Sequence, residues 1–159
     1  MKYFFPLLMA VVITIGLGVQ LTPYIAEYFF PSGQAHFQQA NPHEAREALA
    51  NWFGVPSTEL SQVHAIRYQS AQQNRRWYQF SVERTPVERF IRRLKLQQME
   101  LDDAVLNNQF LTKRPPVDWW QPGSLQRKSY FSGSDGANRI KLIYNADNKN
   151  GYLLVESNQ

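Results

Sequence analysis

A long run of apolar side chains at the start of the chain is the feature that most constrains its folding. Residues 3–19, YFFPLLMAVVITIGLGV, carry no charge and one polar side chain, Thr14, and the apolar run continues with interruptions to Phe30. A helix rises about 1.5 Å per residue and a bilayer core is roughly 30 Å thick, so this run is long enough to cross a membrane once. The sequence predicts a transmembrane anchor over residues 1–30.

A cleaved signal peptide is the alternative, with Gly16 and Gly18 as small residues before the cut. The run is longer than the apolar core of most signal peptides, and the aromatic side chains at its end are typical of a retained span. Lys2 precedes the run and the next basic residue is Arg46. This asymmetry predicts a single-pass inner-membrane protein with a cytoplasmic N-terminus and a periplasmic C-terminal domain.

The rest of the chain has the composition of a folded domain, since the whole sequence is 14% aromatic and 19% charged. Residues 31–40 are predicted as a linker and residues 41–159 as an extracytoplasmic domain. Cysteine is absent, which excludes disulfides, zinc–thiolate sites and thiol nucleophiles.

Two helices are predicted from capping signals. Asn41, Pro42 and Gly54 predict a helix over residues 42–53. Thr85 and Pro86 predict the start of a second helix, with Glu88 completing a capping box, and its apolar stripe consists of Val87, Phe90, Ile91 and Leu94.

Alternating apolar and polar residues predict two hairpins. The first joins VHAIRYQSAQ to RWYQFSVER, the second joins RIKLIYN to GYLLVES, and KSYFSG is a further strand candidate. The predicted fold class is therefore α+β: a transmembrane helix followed by a small antiparallel sheet of two hairpins, with one or two helices packed on it.

The stretch PPVDWWQPG, residues 115–123, is predicted to be a stiff loop over the core. Its extended backbone points Trp119 and Trp120 to different sides. One indole is expected in the core and the other at the rim, where it is a candidate for binding a partner protein or a glycan.

Positive charge is concentrated between Arg75 and Lys95, with seven basic residues against two acidic ones. On the second predicted helix, the basic residues occupy the positions outside the apolar stripe: Arg89, Arg92, Arg93 and Lys95. Charged residues in such positions are typical of a helix face exposed to solvent. The alternative is a surface for anionic lipid head groups or an acidic partner chain. Nucleic acid is not expected outside the cytoplasm.

No motif predicts a catalytic residue, a metal site or a cofactor. His43 and Glu47 share a helix face, but the zinc protease motif needs a second histidine at the latter position. FSGSDG reads as a strand end and turn, and Lys149 occupies a ligand position of the only stretch that resembles a calcium loop.

The predicted function is therefore non-catalytic: a single-pass membrane protein that binds partner proteins as an accessory or assembly component of an envelope complex. The alternative is a tethered module that binds a glycan, lipid head group or peptide through Trp119 or Trp120 and the basic helix. A hydrolytic enzyme is the third hypothesis, because three aspartates (Asp102, Asp103, Asp118) are free to converge in space.

Overall fold

An antiparallel sheet of seven strands organises residues 36–158, the part of the chain that the computed structural model describes. The strands are β1 His36–Gln39, β2 Ser61–Gln69, β3 Gln73–Ser81, β4 Gln97–Met99, β5 Ser129–Asp135, β6 Asn138–Asn145 and β7 Asn150–Asn158. Their order across the sheet is β1-β2-β3-β7-β6-β5-β4. The last strand of the chain is therefore central, between β3 and β6.

Helix α1, Pro42–Phe53, has the bounds that its capping residues predict. The Asn41 side chain accepts a hydrogen bond from the His43 backbone N–H at 2.9 Å, and Gly54 ends the helix in the left-handed region at a φ of 65°. Glycine adopts this conformation without a Cβ penalty. The prediction of this helix is confirmed.

Helix α2, Arg84–Arg93, is confirmed as a helix, but the capping box predicted for it is wrong. Glu83 occupies the N-cap position, but its side chain makes no capping hydrogen bond to the helix, and Glu88 pairs with Arg84 at 2.6 Å. Val87 and Phe90 are buried as predicted. A third, short helix, α3 at Asp103–Leu106, is capped by the Asp102 carboxylate, which accepts from the Val105 N–H at 2.6 Å.

The two long helices cover the first face of the sheet. Leu49 and Phe53 of α1 and Phe90 of α2 pack on strand residues that point to this face, including Phe80 and Leu153. The Tyr144 hydroxyl donates to the Val82 carbonyl oxygen at 2.8 Å on this same face. Burial, together with the nearby Glu83 carboxylate, raises the pKa of Tyr144 to about 12, so the phenol stays protonated.

The second face is covered by residues 100–128, here called the covering segment, which includes α3 and the proline-tryptophan stretch. Phe110, Trp120 and Leu125 of this segment pack on Trp77, Tyr130, Ile143, Tyr152 and Leu154 of the strands. Successive residues of a strand point to opposite faces. Strand β7 therefore supplies Leu153 to one core and Leu154 to the other, which explains its almost continuous apolar sequence.

The close approach of the Phe80 ring to Gly151 leads to a first prediction. Gly151 lies directly opposite Phe80, and a Cβ built on it would lie 2.5 Å from Phe80 Cζ. Because the Phe80 ring is rigid and buried in the first core, Gly151→Ala is expected to lower the free energy of unfolding by about 2 kcal/mol. Urea denaturation measures this loss.

The matched control is Gly136→Asn. Gly136 has a φ of 59°, which asparagine tolerates, and a Cβ there would have no atom within 4 Å. The control is expected to lose less than half as much stability. Equal losses for both variants would contradict the proposed clash with Phe80.

The fold class predicted from the sequence is wrong about the sheet. Both predicted hairpins exist, and KSYFSG contributes to β5, but they belong to a single seven-stranded sheet that also includes β1 and β4. Among residues 36–158 no helix is long and apolar enough to cross a membrane. The predicted span, residues 3–30, lies outside the described residues. For residues 36–158, the description as a small α+β domain of two hairpins is replaced by a domain built mainly from one sheet with three short helices.

Candidate functional site

A row of side chains crosses the second face of the sheet near one end of its central strands. Pairing partners are Phe37 with Tyr68, Tyr68 with Arg75, Arg75 with Glu156 and Glu156 with Arg139. Residues directly opposite each other in an antiparallel sheet share a face. These five side chains, the cross-sheet row, therefore lie side by side although they come from five different strands.

A buried ion-pair cluster lies at the centre of the row. One carboxylate oxygen of Glu156 lies 2.8 Å from an Arg75 guanidinium nitrogen, and the other accepts from the Lys141 ammonium at 2.6 Å. The three side chains are 10–13% exposed. Each oxygen of the only carboxylate in the cluster thus has its own cationic partner, as burial of these charges requires.

A cavity of about 290 Å³ opens between this cluster and the covering segment. The covering segment contributes the side of the cavity opposite the strands through Asn108, Gln109, Thr112 and Lys113. The remaining lining residues come from the strands and the β5–β6 turn: Gln73, Arg75, Ala137, Arg139, Lys141 and Glu156. This space is called the cationic cavity.

The charges that line the cationic cavity are unbalanced. Arg75, Lys113, Arg139 and Lys141 face a single carboxylate, Glu156, which leaves a formal excess of three positive charges (four minus one). Three amide side chains, Gln73, Asn108 and Gln109, add hydrogen-bond donors and acceptors. Such a lining is suited to binding an anionic group of a ligand together with the polar groups next to it in that ligand.

The two tryptophans predicted to bind a partner or ligand pack in the core that covers the second face of the sheet. Trp120 is 3% exposed, and its indole N–H donates to the Phe110 carbonyl oxygen at 3.0 Å. Trp119 is half-buried, with its ring centroid 5.7 Å from that of His64 and 6.1 Å from that of Trp120. Their predicted role in binding stays a prediction.

The four predicted basic residues belong to the helix-covered side of the sheet. Arg89 donates to the Gly54 carbonyl oxygen at 3.2 Å and Arg93 to the Trp52 carbonyl oxygen, so both connect α2 to the C-terminal end of α1. Arg92 and Lys95 are exposed. Because Trp119 and Trp120 pack on the opposite face, the structure does not bring the tryptophans and the basic helix together.

The residues of the cationic cavity were not predicted from the sequence as a group. A signal was present, because Lys141 and Glu156 interrupt the otherwise apolar segments RIKLIYN and GYLLVES at positions that point to one face. Only the pairing register, which places Arg139 opposite Glu156 and Glu156 opposite Arg75, shows that these charges meet.

The lining of the cationic cavity includes one hydroxyl side chain, Thr112, and one carboxylate, Glu156. Within residues 36–158 no three His, Asp or Glu side chains are grouped so that they could hold a metal ion. The Thr112 hydroxyl donates to the Asn107 carbonyl oxygen at 2.9 Å.

Comparison with known proteins does not assign the chain to a family. No protein-family model matches the chain, and neither a curated protein nor a solved structure matches it significantly.

Proposed function

We propose that this domain is a non-catalytic binding module that takes an acidic segment of a partner protein into the cationic cavity. The observation that carries the proposal is the convergence of four cationic side chains from three separate regions, β3, β6 and the covering segment, on one carboxylate. Cations that cluster in a water-filled cleft focus the field there and raise the local concentration of anionic groups.

A binding role suits the ion-pair cluster better than a catalytic one. A general base or nucleophile needs a lone pair within reach of the substrate, and both oxygens of Glu156 already lie against cations. Fixed positive charges instead provide recognition, and Arg75 and Lys141 are held in place before a ligand arrives. The hypothesis of a hydrolytic enzyme finds no support in the lining of this cavity.

The alternative is a ligand-binding module for a small anionic molecule, such as an acidic glycan or a lipid head group. The cavity volume of about 290 Å³ is close to the lower limit for small-molecule sites. The three amide side chains favour a peptide, because its backbone alternates donors and acceptors on both sides of an acidic side chain. The periplasmic location and the envelope complex stay predictions from residues outside the described part.

The proposal is tested with the full chain and two synthetic peptides, one with two central glutamates and the other with glutamines in their place, both with blocked ends. Isothermal titration calorimetry is expected to detect binding of the glutamate peptide, weaker at high salt, and much weaker binding of the glutamine peptide. Arg139→Gln and Lys113→Gln, at exposed positions of the lining, are each expected to weaken binding about fivefold.

Arg92→Gln and Lys95→Gln are the matched controls. They remove the same charge from exposed positions of the helix-covered side and are expected to leave the affinity nearly unchanged. If the controls weaken binding as much as the cavity variants, net charge rather than the cationic cavity binds the peptide, and the proposed site is wrong.

A further inference from the structure

A second concave surface, here called the aromatic groove, continues the cationic cavity toward the edge strand β1. It has a volume of about 250 Å³ and is lined by the rings of Phe37, Tyr68 and Trp77 together with the cations Arg75, Lys113 and Arg114. The ring of Phe37 lies 5.1 Å from that of Tyr68 and 5.9 Å from that of Trp77 between centroids. Three aromatic residues thus stand at one side of a charged site.

The groove and the cavity are parts of one surface. Gln73, Arg75 and Lys113 line both. In the cross-sheet row, Phe37 and Tyr68 follow directly after Arg75, so the aromatic and the charged side chains occupy neighbouring positions on the same face. A ligand that reaches Arg75 from the edge of the sheet passes the rings of Phe37 and Tyr68, with Trp77 buried beneath them.

The shape of the groove indicates which apolar group fits it. The Phe37 ring is tilted by 51° to Tyr68 and by 39° to Trp77, so the rings form a cleft rather than a flat platform. Aromatic rings prefer tilted or offset contacts with other rings, and a large aliphatic side chain gains by burying its surface, so either suits a cleft between rings. Phe37 is 41% exposed, so contact with such a side chain removes apolar surface from water.

We propose that the aromatic groove is a second subsite, which takes an aromatic or large aliphatic side chain next to the acidic side chain in the cationic cavity. The partner segment then carries an aspartate or glutamate one or two residues from a large apolar residue. This inference rests on the proposed function, because the cavity defines where the acidic group binds. Phe37 is the residue that determines this specificity.

The test uses four blocked peptides of equal length, which combine glutamate or glutamine at one position with phenylalanine or alanine two residues later. With the full chain, the peptide that has both glutamate and phenylalanine is expected to bind about tenfold more tightly than the one with glutamate and alanine. Phe37→Ala is expected to abolish this tenfold preference while the preference for glutamate over glutamine persists. Arg139→Gln is expected to weaken the preference for glutamate and to leave the gain from phenylalanine intact.

Two further variants keep the result interpretable. Phe37→Leu retains an apolar side chain at the groove and is expected to keep most of the preference for phenylalanine. Met99→Ala is the matched control, because Met99 is 52% exposed on edge strand β4 at the other end of the sheet order, and it should change no affinity. Circular dichroism of each variant verifies that it is folded.

The possible failures are distinguishable. If glutamate and glutamine peptides bind equally to the wild type, the proposed function is wrong, and this inference falls with it. If glutamate is preferred but phenylalanine adds nothing, or if Phe37→Ala retains the gain, only the aromatic subsite is wrong. A loss of the gain in Met99→Ala would likewise overturn the assignment to Phe37.

Discussion

Replacing Glu156 with leucine is expected to lower the free energy of unfolding by about 3 kcal/mol. Glu156 is the carboxylate between Arg75 and Lys141, and all three side chains are nearly buried. Without Glu156, the two cations lie close together in the buried site and neither has a charged partner. A buried charge without a partner costs far more stability than an intact pair contributes. Thermal or urea denaturation followed by circular dichroism measures the loss.

Glu83→Leu is the control for this prediction. Glu83 pairs with Lys149, but those side chains are 62% and 51% exposed, and exposed ion pairs contribute little. The control is expected to cost less than about 1 kcal/mol. If Glu156→Leu is no more destabilising than Glu83→Leu, the ion-pair cluster does not stabilise the fold as its burial implies.

The same substitution links stability to the proposed function. Removing Glu156 raises the formal charge excess of the cationic cavity from three to four, because four cations then face no carboxylate. The variant is therefore expected to bind the glutamate peptide more tightly than the wild type although it is less stable. Weaker binding by a variant that is still folded would contradict this expectation and would show that holding Arg75 and Lys141 in place matters more for binding than the charge excess.

Replacing Trp120 with alanine is expected to cost about 4 kcal/mol of stability, a large part of the total for a domain of this size. Trp120 is 3% exposed, and its ring lies 5.3 Å from Tyr152 of the central strand between centroids. The substitution leaves a cavity under the covering segment and removes the hydrogen bond to the Phe110 carbonyl oxygen. Far-ultraviolet circular dichroism in urea measures the effect without depending on tryptophan fluorescence.

Two further variants are compared with Trp120→Ala. One keeps an aromatic ring at position 120 without the indole N–H, and the other removes the neighbouring ring of Trp119. Trp120→Phe retains most of the apolar volume but no indole N–H, so it is expected to cost about 1 to 2 kcal/mol, mainly through the Phe110 carbonyl oxygen left without its donor. Trp119→Ala removes a half-buried ring and is expected to cost less than Trp120→Ala. Wild-type stability in Trp120→Ala would show that the covering segment is not held to the sheet by this residue.

Local signals identified several elements of the fold correctly. The cap of α1 at Asn41, its end at Gly54 and the pairing of β2 with β3 follow from interactions between residues close in the sequence. The capping box at Glu88 failed because the helix begins at Arg84, which places Thr85 inside the helix instead of at its N-cap. Short edge strands were missed for another reason: β4 has three residues and β1 four, too few to show a period of two.

The composition and apolar patterning of the chain determined that it contains a folded domain with antiparallel hairpins and that a proline-tryptophan stretch closes a core. Only the tertiary structure decided which faces those side chains share. Arg75, Lys141 and Glu156 come from three strands, and a shift of one residue in the pairing would point one of them to the opposite face. Register depends on the packing of both cores at once, so the cationic cavity exists only in the folded sheet.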